Sequence, residues 1–154
     1  MECLASGCHT AKPQWTSWRE NKLVKLETPR LLITDDDAAM RTSLQVLFEE
    51  RGFQTRLASN GQEAVEIVQE DQIHLLLLDM HMPHMNGLEA VRKIQQLEHP
   101  IPCILFSARL DEDLAREAFQ ARVFSVLAKP FRLTQITEMV KGALLTTYGW
   151  TPHP

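Results

Sequence analysis

The sequence predicts an α/β fold, with five parallel strands and helices packed on both faces of the sheet. Three observations carry the prediction. From residue 30 onward, short apolar runs alternate five times with segments of helical apolar spacing, joined by short connections. The third run holds four consecutive leucines at 75–78, as expected of a strand buried on both faces at the centre of a parallel sheet. The composition, 44% hydrophobic and 23% charged over 154 residues, is that of an ordinary globular chain. A chain of this size can bury a core without metal or disulfide staples.

The elements follow in order. Residues 30–34 form a short apolar strand that ends in acid. Residues 38–51 place Met40, Leu44, Leu47 and Phe48 at helical spacing, and Gly52 follows as a terminator. Residues 53–58 read as a second strand. Asn60 with Glu63 offers a capping box for a helix carrying Ala64, Ile67 and Val68. Residues 73–78 are the third strand. A loop with Pro83 and Gly87 leads to a helix with Leu88, Val91, Ile94 and Leu97. Residues 101–106 are the fourth strand, and 111–120 a helix with acids in its first turn, which suits its dipole. Residues 123–128 are the fifth strand, broken by Pro130, and a last helix carries Ile136, Val140 and Leu144. Right-handed crossovers follow from this order.

Residues 1–28 lack this pattern and read as an N-terminal extension, either a flexible leader or a short helix, with Trp15 and Trp18 available to pack on the domain or a partner. The domain proper spans 29–149, and 150–154 form a C-terminal tail. A formal net charge of -4 argues against a basic nucleic-acid footprint. No apolar run approaches the roughly 18 residues of a membrane span, and a secretory signal core is absent from the start. Cys3, Cys8 and Cys103 fit no zinc spacing, and reduced thiols in the cytoplasm are the simpler reading.

Ligands of open parallel sheets bind beyond the carboxyl ends of the strands. Asp35, Asp36 and Asp37 follow the first strand, Asp79 the third, Ser107 the fourth and Lys129 the fifth. Singly, each is an ordinary cap or turn residue; their joint placement carries the inference. Carboxylates held close repel, and a hard divalent cation with oxygen ligands relieves them. Asp35 and Asp36 can hold Mg²⁺, and Asp79 can share it. Asp79 is also a candidate nucleophile toward phosphorus, since carboxylates form acyl phosphates. Lys129 supplies a cation and Ser107 a hydroxyl for the charge developing on the phosphoryl oxygens.

The segments Leu31-Leu32-Ile33-Thr34-Asp35-Asp36-Asp37, Leu77-Leu78-Asp79-Met80-His81-Met82-Pro83 with Met85 and Gly87, Phe106-Ser107-Ala108, and Ala128-Lys129-Pro130-Phe131 resemble the receiver domain of two-component response regulators. The likeness covers about residues 29–149. It implies a doubly wound, flavodoxin-like fold with strand order 2-1-3-4-5. It implies Asp79 as phosphoacceptor, Asp35 and Asp36 with Asp79 and the backbone carbonyl of His81 as Mg²⁺ ligands, Ser107 as the switch hydroxyl, and Lys129 as the phosphoryl-pairing cation. Asp37 is then a helix-start residue.

A sensor histidine kinase or a histidine phosphotransfer protein is the implied phosphodonor. A downstream target protein is the implied reader, and the chain catalyses only its own phosphorylation and dephosphorylation. The face formed by the fourth helix, fifth strand and fifth helix is the implied output surface, open to a homodimer. Direct nucleic-acid and membrane contacts are not expected.

Two departures stand out. The position three residues before the lysine, often aromatic in the family, is Val126, with Phe124 two residues earlier. Arg122 stands where a glycine often ends the fourth helix. His81 and Arg109 flank the site, where bulky side chains can shield a phosphoryl group. His74, His84 and His99 read as loop or surface residues. Only seven residues follow Thr147, so a complete chain acts as a stand-alone receiver, whereas a fragment takes its output from the missing part.

The alternative function is a phospho-independent protein-interaction module on the same fold. A metal-dependent aspartyl-phosphate phosphatase fits less well, because those enzymes carry a second Asp where His81 stands.

Overall fold

The structure, a computed structural model, describes residues 26–97 and 100–152. The readings of a leader or short helix before residue 26, and of His99, lie outside them. Five parallel strands, β1 (Arg30–Thr34), β2 (Gln54–Ala58), β3 (Leu75–Asp79), β4 (Cys103–Ser107) and β5 (Ser125–Ala128), pair in the order β2-β1-β3-β4-β5. Five helices alternate with them: α1 (Ala38–Glu49), α2 (Gly61–Glu70), α3 (Gly87–Gln95), α4 (Glu112–Gln120) and α5 (Leu133–Tyr148). This is the expected doubly wound, flavodoxin-like order.

The leucine run sits at the centre of the sheet for a physical reason. Side chains alternate across a strand, so Leu75 and Leu77 join the layer under α1 and α5, while Leu76 and Leu78 join the layer under α2, α3 and α4. All four are fully buried. Each layer supplies its own complement, Phe48, Ile136 and Val140 on one side and Ile67, Val91 and Ile94 on the other.

Helix starts are set by side-chain caps. Asp37 accepts from the backbone N–H groups of Ala39 and Met40, Asn60 from Glu63, Asp111 from Leu114, and Asn86 forms a reciprocal capping box with Glu89. Asp37 is therefore a helix-start residue, as expected. Helix ends follow backbone chemistry. Gly52 takes a positive φ of 89° after α1, which stops at Glu49. Arg122 takes φ 62° after α4, filling with a charged residue the left-handed position that glycine usually holds.

Several element limits move from the sequence reading. The third strand begins at Leu75, where pairing with Leu31 starts, and it runs on to include Asp79, paired with Phe106. β4 starts at Cys103 and ends at Ser107, and β5 starts at Ser125. His74 is not a surface residue. It is buried, its Nδ1 accepts from the Arg30 N–H at 2.9 Å, and its ring meets Tyr148 edge-on at 5.8 Å. Trp150 of the tail is likewise buried. It packs on Phe53 at 5.3 Å and donates from Nε1 to the Glu27 carbonyl at 3.4 Å.

Candidate functional site

The carboxyl edge of the sheet gathers side chains from four strand ends. β1 delivers Asp35 and Asp36 through a short loop whose path is fixed at both ends. The Asp35 N–H donates to the Ala58 carbonyl at 3.2 Å, and the Asp37 N–H donates to Asp35 Oδ1 at 2.9 Å. β3 delivers Asp79 at its last residue. The Met80 N–H donates to the Phe106 carbonyl and the Lys129 N–H to the Ser107 carbonyl, each at 2.8 Å. These two bonds extend the sheet by one step and hold the three loops in register. The Lys129–Pro130 peptide is cis.

Asp35, Asp36 and Asp79 each bring a carboxylate oxygen within 4.8 Å of the others'. Asp35 and Asp79 are buried, whereas Asp36 is exposed. Lys129 enters from the β5 side. Its Nζ lies 3.0 Å from Asp79 Oδ1 and 3.4 Å from Asp35 Oδ2, and its side chain is 24% exposed. Burial pushes the Asp35 carboxyl above its ordinary range; the Asp79 charge adds to this, and the Asp37 N–H and Lys129 oppose it. Burial alone would lower the Lys129 ammonium, but its hydrogen bond to Asp79 and the charges of both aspartates outweigh that and raise it. One ammonium thus faces two buried carboxylates, a set short of positive charge. The donors are all hard oxygens, and one of the three faces solvent. That set suits a small divalent cation that keeps part of its water shell, as Mg²⁺ does.

Ser107 sits at the end of β4 and is fully buried. Its hydroxyl donates to the Arg109 carbonyl at 2.7 Å and accepts from the Arg109 N–H at 3.1 Å. It is therefore engaged with the loop leading to α4, not with the carboxylates. The exposed His81 side chain reaches the same hydroxyl, with Nε2 at 3.5 Å. The structure so brings Asp35, Asp36, Asp79 and Lys129 into one cluster, with Ser107, His81 and Arg109 forming a second group beside it. Val126 is half-buried against the α4 layer, and Phe124, just before β5, is 40% exposed.

Two further residues shape the site. Gly87 opens α3 against the phosphoacceptor candidate's own backbone. A Cβ there would lie 2.6 Å from the Asp79 carbonyl oxygen and 2.6 Å from Leu105 Cδ1, and the Gly87 N–H donates to the Met80 carbonyl at 2.9 Å. Arg41, on α1, donates from Nη1 to the Asp35 carbonyl at 2.6 Å. The sequence marked Gly87 as a loop residue and as part of the family resemblance, without its close approach to Asp79, and Arg41 not at all. The one local signal for Arg41 was a cation in the first turn of a helix, where the dipole disfavours it.

A family profile for the response regulator receiver domain matches residues 31–141. The chain is 33% identical over 115 residues to Sporulation initiation phosphotransferase F of Bacillus subtilis (strain 168), covering 75% of this chain and 93% of that protein. It is 33% identical over 115 residues to Regulatory protein AtoC of Escherichia coli (strain K12), covering 75% of this chain and 25% of that protein. The chain therefore spans nearly all of one relative and a quarter of the other. The solved structure of the Vibrio cholerae chemotaxis protein CheY4 superimposes with a TM-score of 0.73 at 20% identity, over 76% of this chain and 99% of that one. That last likeness is one of fold.

Proposed function

The chain belongs to the family of response regulator receiver domains, and on that premise we propose that Asp79 accepts a phosphoryl group from a phosphohistidine donor. The observation that carries this reading is the convergence of the Asp35, Asp36 and Asp79 carboxylates within 4.8 Å, with Lys129 at 3.0 Å from Asp79. Receiver domains are signalling phosphoacceptors and not enzymes in the usual sense. Among the described residues no helix is long and apolar enough to cross a membrane; the cytoplasm is the proposed location of this chain.

In the proposed reaction an Asp79 carboxylate oxygen attacks phosphorus in line with the donor's P–N bond. The P–O bond forms, the P–N bond breaks, and the donor imidazole leaves with a proton. Hydrolysis later adds water to the acyl phosphate, releases inorganic phosphate and restores the carboxylate. Asp35 and Asp36, with Asp79 and the His81 carbonyl, would hold Mg²⁺. When bound, that ion supplies positive charge for the equatorial phosphoryl oxygens. Lys129 leaves its bond to Asp79 to pair with a phosphoryl oxygen, and Ser107 exchanges Arg109 for another. That exchange is the local event that would repack the surface of α4, β5 and α5, the face read here as the output surface for a target protein or a second copy. A histidine kinase or a histidine phosphotransfer protein is the proposed donor. The receiver is taken as residues 29–149, with 1–28 an extension and 150–154 a tail.

Acetyl phosphate with MgCl₂ should add one alkali-labile phosphoryl group to the protein, read by intact-mass spectrometry. Asp79→Asn should take none. An unmodified wild type, or a modified Asp79→Asn, overturns the assignment.

A further inference from the structure

The β1–α1 loop carries two of the three clustered carboxylates, and among the described residues only one of them is anchored through its own side chain. Asp35 is buried and accepts from the Asp37 N–H, whereas Asp36 is exposed. The direction in which Asp36 projects therefore depends on the peptide unit that joins it to Asp35. The carbonyl of that unit is the acceptor of the 2.6 Å bond from Arg41 Nη1. Arg41 is the fourth residue of α1, and its N–H makes the helical bond to the Asp37 carbonyl at 3.1 Å. Side chains on a helix lean toward its N-terminus, so the guanidinium reaches back past the cap onto the loop. A cation in this turn opposes the helix dipole. Helix stability alone does not favour arginine here, and the contact that accounts for it is the one to the loop.

We propose that Arg41 is a positioning residue for the metal pair: it clamps the Asp35–Asp36 peptide so that both carboxylates face the same ion. The proposal rests on the reading of Asp35 and Asp36 as metal ligands. It acts on that site through main chain, and Arg41 itself contacts no reacting atom.

The test is calorimetric titration of MgCl₂ into the wild type, Arg41→Ala, Arg41→Lys and Arg51→Ala. Arg51 is the control, because its Nη1 donates to the Leu47 carbonyl at 3.0 Å, a similar bond at the other end of the same helix. Outer partners of metal ligands typically change affinity about 10–100-fold. Arg41→Ala should therefore weaken Mg²⁺ binding about tenfold, with Arg41→Lys in between and Arg51→Ala unchanged. Urea unfolding of each variant separates this effect from loss of fold, and the lysine variant keeps the test open if the alanine variant is unfolded. Equal Mg²⁺ affinity in wild type and both Arg41 variants overturns the proposal and leaves the phosphoacceptor reading intact. A wild type that binds no Mg²⁺ overturns the metal reading and this inference with it.

Discussion

Lys129→Met tests the electrostatics of the site most directly, because it removes the one ammonium between two buried carboxylates and keeps the bulk of its stem. At an effective dielectric near 20, a charge pair at 3.0 Å is worth about 5.5 kcal/mol and one at 3.4 Å about 4.9 kcal/mol, before any opposing cost. The ammonium gives up hydration to sit there and remains 24% exposed, so water screens part of the attraction. The net loss expected on removal is about 2–3 kcal/mol at pH 7, somewhat below the ~3–5 kcal/mol of a fully buried pair.

The pH dependence has a definite sign. In the variant the Asp35 carboxyl, already raised by burial, loses the opposing Lys129 charge and rises further, and an acid raised in the folded state stabilises the fold only while protonated. Stability of the variant should therefore fall as pH rises upward from 3.8, the ordinary Asp35 value, and the gap to wild type should widen. Urea unfolding at pH 5 and pH 7, with and without MgCl₂, reads all of this. The gap should be smaller at pH 5, and Mg²⁺ should stabilise the variant more than the wild type, since a cation is replaced. A deficit below about 0.5 kcal/mol, or one indifferent to both pH and Mg²⁺, refutes the reasoning.

Gly87→Ala should cost about 1–3 kcal/mol in urea unfolding through overpacking, because a Cβ would lie 2.6 Å from the Asp79 carbonyl oxygen; phosphorylation by acetyl phosphate should slow with it, and a variant as stable as wild type contradicts the close approach. Arg122→Gly should stabilise the fold by about 1 kcal/mol, since φ 62° strains a residue with a Cβ; the expected reading is a higher urea midpoint at unchanged slope. His81→Asn combined with Arg109→Glu should shorten the lifetime of the phosphorylated protein, because the His81 side chain reaches the Ser107 hydroxyl and the Arg109 main chain holds it. Loss of the phosphoryl group followed by mass spectrometry measures it, and an unchanged half-life removes the shielding role.

Much of the fold could be read from the chain because its signals are periodic and dense. The leucines at 75–78 announced a central strand, and Asn60, Asn86 and Asp111 occupy the caps their types suggest. The polar residues at four strand ends pointed to one edge of the sheet, where the structure places Asp35, Asp36, Asp79 and Lys129 together. Other features depend on loop paths and long-range contacts, which leave no local pattern. His74 looked like a surface polar residue, yet its ring nitrogen completes the hydrogen bonding of Arg30, 44 residues away. Arg41 and Gly87 matter through main-chain oxygens of Asp35 and Asp79, and no side-chain motif encodes a main-chain partner. Ser107 was legible as a position, but its bonds to Arg109 were not.

The bond from Trp150 to the Glu27 carbonyl brings the two ends of the described domain together at the pole opposite the carboxylates. That closeness makes circular permutation straightforward: a short Gly-Ser bridge can join residues 150 and 27, and new termini can open in the turn after α2. Fluorescent proteins fused directly at residues 27 and 150 would share that pole, away from the clustered carboxylates.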